Sequence, residues 1–336
     1  MAASTSMEIR DLRHFEASAI RPLLEVEGEI WKQRLHWDYQ HSSRLLMQYL
    51  DNRALPGFAA MEARQAVGYA FSVYEDSKAV IGDVFAIPNR LSTRNEVALS
   101  GHAVEQTLLR HMLELLLNSP QLDRIESQLL LHPSGTHSAF FIESGFKIYR
   151  RLFMVQQLFG RTAASPHIPP LIILPNYLQL RPWSDNDLTP AARLICASYT
   201  EHPDSLINEQ YRTAGGAMRF LNNIVRYSGC GAFTAPASYV IVDRSRRELA
   251  AMILGSRVSP LSGHITQLCV HPHYRRMGLG RKLLSLASHS FAREGAQEIS
   301  LTVTESNSEA IELYRSEGYT TPHLFDAAVW QRSATA

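Results

Sequence analysis

Arg275-Arg276-Met277-Gly278-Leu279-Gly280, followed by Arg281, sets three arginines around two glycines. Residues of these types in that order suit an anion. Arginine presents a fork of charged donors, and glycine lets main-chain N–H groups approach a ligand with no Cβ in the way. The chain before the loop reads as a strand: Ile265, Leu268 and Val270 are apolar, Thr266 is β-branched, and Pro272 marks the end. The chain after it reads as a helix, with Leu283, Leu284, Leu286, Ala287 and Phe291 at helical spacing. The first N–H groups of a helix lack internal partners and its dipole favours negative charge, so these three parts make a phosphate site. The loop matches neither the Gly-x-x-x-x-Gly-Lys-Ser/Thr pattern nor the three-glycine dinucleotide fingerprint. A tight strand-to-helix turn with surface arginines is the alternative that the loop alone leaves open.

Further along stands Asn307-Ser-Glu-Ala310-Ile-Glu-Leu313-Tyr314-Arg-Ser-Glu-Gly318-Tyr319. Taken with Arg-x-x-Gly-x-Gly between a Val-His-Pro strand end and a Leu-Leu helix, this run closely resembles the GNAT superfamily of acyl-CoA-dependent N-acyltransferases. The resemblance is specific over roughly residues 238 to 320 and looser elsewhere. It implies acetyl-CoA, or another acyl-CoA, as cofactor and a small-molecule or peptide amine as acceptor, which attacks the thioester directly in a ternary complex. It also implies that Leu268-Cys269-Val270 splays from Ile299–Val303 and frees main-chain groups for the pantetheine arm. An N–H near Cys269 or Val270 then meets the thioester oxygen. The segment Arg275, Arg276, Met277, Gly278, Leu279, Gly280 and Arg281 holds the pyrophosphate, and Asn307 contacts the cofactor arm. Tyr314 matches the family's tyrosine beside the thioester sulfur, a donor to the leaving thiolate. The plainer readings are that Asn307 is a helix cap and Tyr314 a core aromatic beside Leu313 and Tyr319.

The general base is less plain. Many family members carry a carboxylate on the organising strand, but Gly263-His264-Ile265-Thr266-Gln267 has none. His264 titrates near neutrality and is one candidate; as a solvated strand-start histidine it would have no role. Glu305, just after the next strand, is a second. Cys269 lacks a basic partner and reads as a small apolar strand residue. The segment Glu201 to Tyr227 stands in the family's substrate-covering position. Near it are Tyr199, Asp204, Tyr211 and Arg212, from which no acceptor can be read.

A chain of 336 residues suits two domains. Its net charge of +1 gives no electrostatic case for nucleic acid or an anionic membrane. No apolar run approaches a membrane span; Leu171–Leu174 is a strand's worth. Cys196, Cys230 and Cys269 are odd in number and widely spaced, which predicts reduced thiols in a cytoplasm and argues against a disulfide scaffold or zinc site. No metal is expected.

Laying Gly145 over Gly318 puts Ile142-Glu-Ser-Gly-Phe146 over Arg315-Ser-Glu-Gly-Tyr319, a duplication with a period of 173 residues. The first copy lacks the paired glycines and the arginines. It has Phe141 in place of Tyr314, Ser134 in place of Asn307, and Glu105 where a pyrophosphate would lie. The fold class expected is therefore α/β, as two tandem GNAT folds, each with a mixed, mostly antiparallel sheet flanked by helices. Residues 1–6 read as a disordered leader and 7–158 as a degenerate, catalytically silent domain. Residues 159–176 read as a linker and 177–332 as the active domain. Two functional classes stay open, an N-acyltransferase and a non-catalytic acyl-CoA-binding or sensing module, because fold does not fix function.

Overall fold

The computed structural model describes residues 7–88, 100–158, 171–227 and 231–333. The expected leader, most of the expected linker and Cys230 lie outside them. In chain order the first elements are β1 (Glu8–Asp11), α1 (Ala17–Leu35), α2 (Gln40–Asp51), β2 (Gly57–Glu62), β3 (Gln65–Glu75) and β4 (Lys78–Ala86). Next come α3 (Gly101–Leu117), β5 (Arg124–Gln128), α4 (Ser138–Glu143), β6 (Lys147–Gln157), β7 (Leu178–Pro182), α5 (Leu188–Tyr199), α6 (Pro203–Ile207) and α7 (Ala214–Val225). The rest are β8 (Ala232–Phe233), β9 (Tyr239–Asp243), β10 (Glu248–Ser259), β11 (Ser262–Val270), α8 (Leu279–Arg293), β12 (Glu298–Thr304), α9 (Ser308–Ser316) and β13 (Thr320–Gln331). Among the described residues no helix is long and apolar enough to cross a membrane.

Two compact units divide the chain, Met1–Arg150 with Phe325–Ala336 and Arg151–Leu324. In the first, β1 to β4 form an antiparallel meander. β4 then runs parallel to β5, and β5 pairs antiparallel with Ala327–Gln331 of β13. In the second, β7, β9, β10 and β11 are antiparallel in that order. β11 then runs parallel to β12, which pairs antiparallel with Arg151–Gln157 of β6. The sequence of pairings is the same in both, as a duplication requires. Each sheet is mixed and mostly antiparallel.

The expected boundaries at 158 and 332 differ from the packing. Each unit closes its sheet with a strand from the other half of the sequence. Leu152, Met154 and Leu158 belong to the core of the second unit, and Ala328 to that of the first. Neither strand was expected, because Arg150, Arg151, Gln156 and Gln157 in one, and Pro322, His323 and Asp326 in the other, blur the two-residue alternation.

Apolar helix faces cover the sheets. In the first unit Val104, Leu108, Met112 and Leu116 of α3 fill one cluster, while α1 and α2 fill another around Tyr69 and Phe85. In the second, α8 packs Leu283, Leu284, Ala287 and Phe291 against Ala251 and Ile253. The α5–α7 pair packs against Met252 and Leu254, the residues that point to the other face of β10. Gly255 and Gly263 make room for Phe291, since a Cβ on either would lie 2.7 Å from its ring.

A fragment of residues 151–324 keeps β7 to β12 and the partner of β12, and should unfold cooperatively on heating. Residues 177–336 leave Glu298–Thr304 without its antiparallel partner and uncover Leu301 and Val303; that fragment should show a broad transition or aggregate. Equally sharp melting of both would show that strand 151–157 is dispensable.

Candidate functional site

The parallel pairing of β11 with β12 covers only Ser262 with Glu298, Gly263 with Ile299 and His264 with Ser300. It stops at a bulge. Ile265 faces Gly255 and Gln267 faces Leu254, so Thr266 is the extra residue, and its Oγ1 donates to the Leu254 carbonyl (3.1 Å). A bulge bends and twists its strand, which turns β11 away from β12. Past this point β11 keeps β10 and β12 keeps β6, while the facing edges diverge. A cleft of about 690 Å³ opens between them, walled by Ile265–Val270 and Leu301–Val303.

The loop after β11 ends the cleft. Tyr274 anchors it by donating to Asp243 (2.7 Å) and Glu248 (3.0 Å). Gly278 caps α8 in the left-handed region at φ 70°, which glycine adopts without strain. It supplies no side-chain cap, so the first N–H groups of the helix stay open to a ligand. Gly280 leaves room for close approach, its nearest neighbours being Leu313 and Val270. Arg275 donates to the Ser198 carbonyl (2.9 Å), Arg276 pairs with Glu309, and Arg281 pairs with Glu317 and donates to Ser316 (2.9 Å). The Arg276 pair is largely exposed. Such pairs contribute roughly 0–1 kcal/mol, so an anionic ligand can displace them.

The same lining includes polar groups from α5, α6, β11 and α9. His202 Nδ1 accepts the Asp204 N–H (3.1 Å), and Thr304 donates to the Asp204 carboxylate. Asn307 accepts the Ala310 N–H (3.3 Å), capping α9, and its amide meets His202 Nε2 at 3.2 Å. Gln267 donates to the Tyr199 hydroxyl (3.1 Å), and the Tyr199 and Tyr211 rings lie 4.4 Å apart. Tyr314 is buried yet lines the cleft. Burial, and then the negative charge of Asp204, push its hydroxyl far above the ordinary tyrosine range. It stays protonated and can donate.

Residues 204–319 match the model of the acetyltransferase (GNAT) family. They form a GNAT domain. Solved structures share the fold over nearly the whole chain. One is a GCN5-related N-acetyltransferase from Sphaerobacter thermophilus, 13% identical, with 97% of this chain and 95% of that one aligned at a TM-score of 0.64. Another is a tandem GNAT protein from the clavulanic acid biosynthesis pathway, 14% identical, with 98% and 100% aligned at a TM-score of 0.61. The chain thus shares its fold with a tandem GNAT protein over nearly its whole length, and acyl transfer is the chemistry of the family that residues 204–319 match.

Within the GNAT domain, Leu268, Cys269, Val270, Arg275, Arg276, Gly278, Leu279, Gly280, Arg281, Asn307 and Tyr314 line one cleft. Met277 instead packs against the core beneath it. Burial pushes the Cys269 thiol up to about 12, which keeps it a neutral strand residue. His264 and Glu305 lie outside the lining. His264 is buried at the last paired position, with Nδ1 2.9 Å from Ser300 Oγ. Burial, and then the charge of Arg151, lower its pKa to about 3. The ring, expected as a base, thus contacts Ser300 and is not among the residues that line the cleft. Glu305 is exposed beyond the end of β12. The reading of the sequence did not single out His202, Gln267 or Arg151; the His-Pro-Asp run at 202–204, with proline at a helix start, was the available signal.

The placement of His264 has a consequence for stability. The folded chain keeps this ring neutral down to about pH 3, whereas the unfolded chain protonates it near pH 6.5. Its contribution is full above pH 6.5 and is lost as pH falls towards 3, by at most about 1.4 kcal/mol per pH unit. Denaturant melts of wild type should weaken more steeply over that window than those of His264→Gln. Parallel slopes would mean that the ring is solvated.

Proposed function

We propose that the GNAT domain transfers an acyl group, acetyl in the simplest case, from acyl-CoA to a primary amine by direct attack within a ternary complex. The observation that supports this most is the parting of β11 from β12 after His264 and Ser300, directly above a helix start without a side-chain cap. An acyl-CoA fits the residues there. The open N–H groups at the start of α8, with Arg275, Arg276 and Arg281, would hold the diphosphate. The unpaired edge of β11 at Leu268–Val270 would hold the amide-bearing arm much as a sheet edge takes up an added strand. Asn307 would meet that arm at the start of α9. When bound, acyl-CoA supplies an acyl group activated as a thioester.

The chain's own residues do the rest. A main-chain N–H at Cys269 or Val270 can stabilise negative charge on the thioester oxygen. Tyr314, held protonated, donates a hydrogen bond to the sulfur as it departs. Asp204 is the buried carboxylate of the cleft wall. It attracts the acceptor as an ammonium ion and takes the proton that the amine must shed before it attacks. Tyr199 and Tyr211, tied through Gln267, form the aromatic wall on which the acceptor rests.

Thiol release from acetyl-CoA, measured across a panel of amines, tests the reading. Release that no amine stimulates, with acetyl-CoA still bound in calorimetry, would leave a sensing module. Tyr314→Phe keeps the ring and removes one donor; a general acid contributes about 10²–10⁴-fold, and the lower end is expected because a thiolate leaves readily. Turnover at saturating acetyl-CoA should fall by that amount with donor affinity unchanged, and near-wild-type turnover would make Tyr314 a packing residue. Asp204→Asn should lower turnover at saturating acetyl-CoA by at least about tenfold, with donor affinity unchanged. Near-wild-type turnover would return the proton to water.

A further inference from the structure

The first unit holds a cluster that the acyl-transfer site does not use. We propose that His102, Glu105 and His137 bind a divalent transition-metal ion of the zinc type, with His132 beside the fourth position. His102 and Glu105 lie one turn apart on the first turns of α3, and His137 precedes α4. Their ligand atoms all lie within 4.8 Å of one another. One oxygen is the centre: Glu105 Oε2 is 3.4 Å from His137 Nε2, 3.8 Å from His132 Nδ1 and 4.0 Å from His102 Nδ1. Bonds of about 2.0–2.2 Å on a tetrahedron set ligand atoms roughly 3.3–3.5 Å apart. Small side-chain rotations would bring the cluster to that geometry.

Two further observations point to a cation. His137 is 5% exposed, and neither of its ring nitrogens makes a hydrogen bond. A buried imidazole whose nitrogens make no hydrogen bond, with a carboxylate oxygen 3.4 Å from one of them, has a lone pair and an anion side by side that a cation would satisfy together. His132 shows the complementary feature. Its Nε2 lies 2.8 Å from the Val84 carbonyl, which can only accept, so Nε2 carries the hydrogen and the Nδ1 lone pair faces Glu105. A carbonyl fixing the tautomer of a histidine in this way is how metal-binding imidazoles are commonly oriented.

The place in the fold gives the cluster a role. The start of α3 answers in the first unit to the start of α8 in the second, where the glycine loop meets an anion. β4 and β5 pair from Lys78 with Arg124 to Ile81 with Ser127, after a bulge at Gly82, and then part as β11 and β12 do. His132 occupies that parting, since it bonds Val84 on β4 just past the last pair. The ion would pin the start of α3 to the segment before α4, closing the position that a cofactor takes in the other unit. With two imidazoles and one carboxylate as ligands, zinc, cobalt(II) or nickel(II) suit the site better than calcium or magnesium.

The test uses the full chain without an affinity tag, stripped with a chelator and titrated with zinc chloride by calorimetry and with cobalt(II) by visible absorption. One equivalent should bind, with cobalt bands of low coordination number and a raised melting temperature. His102 has a side chain 47% exposed, so His102→Ala will fold whatever its effect on the metal. It should weaken zinc by more than the roughly 10–100-fold that loss of an outer-shell partner costs. His137→Gln should do the same. Acetyl-CoA binding should be unchanged in both variants. Absence of stoichiometric binding would overturn the proposal and leave a histidine–carboxylate ion pair. Equal zinc affinity in wild type and His102→Ala would place any bound ion elsewhere and overturn it too.

Discussion

Backbone N–H and C=O groups must find partners, and the GNAT domain is arranged around a place where two strands withhold them from each other. β11 and β12 share three residue pairs and then part at the Thr266 bulge. Each strand keeps its other neighbour, so the sheet stays whole while one edge of each faces the cleft. The rest of the site follows from that divergence. The loop anchored by Tyr274 lies beyond β11 and the Asn307 cap beyond β12. The segment 199–211, with its aromatic rings and Asp204, supplies groups to the same cleft.

The same divergence occurs in the first unit with a different outcome. β4 bulges at Gly82 and leaves β5 after Ile81 and Ser127. There His132 meets the Val84 carbonyl, and Glu105 stands among imidazoles on the helix that follows. Deeper in, Glu27 and Asp83 are both buried, and Tyr69 donates to Glu27. Burial, and then the charge of Glu27, push Asp83 far above the usual carboxylate range. The pair therefore keeps a proton. One backbone plan thus carries two different sets of side chains at the parting.

Much of the GNAT domain was legible because its chemistry is local. Arg275 to Arg281 and Asn307 to Tyr319 are short runs in which residue type and spacing suggest a site, and all but Met277 of the residues expected to hold a cofactor line the cleft. What depends on distant partners was not legible. A two-residue alternation does not name the edge a strand will join, so the exchange of 151–157 and 325–331 was invisible. His264 looked like a candidate base, since nothing in Gly-His-Ile-Thr-Gln says that its ring turns to Ser300 and away from the cleft. Attention to cysteines hid the cluster around Glu105, whose histidines come from segments on either side of β5.

Asp204 shows how one buried charge sets several neighbours at once. It is held by Thr304 on β12 and fixed in direction by the short α6, where His202 and Pro203 start the helix. Burial raises both Tyr314 and Tyr199; the charge of Asp204 comes next for Tyr314 and, after Tyr211, for Tyr199. A carboxylate sharing a low-dielectric wall with two protonated tyrosines offers the only negative charge buried in the lining. Asp204 favours a cation, while Arg275, Arg276 and Arg281, which line the same cleft, favour an anion. One cleft thus gathers groups of opposite charge although the whole chain is close to neutral. On the function proposed above, such a lining suits a donor with an anionic tail and an acceptor with a cationic head.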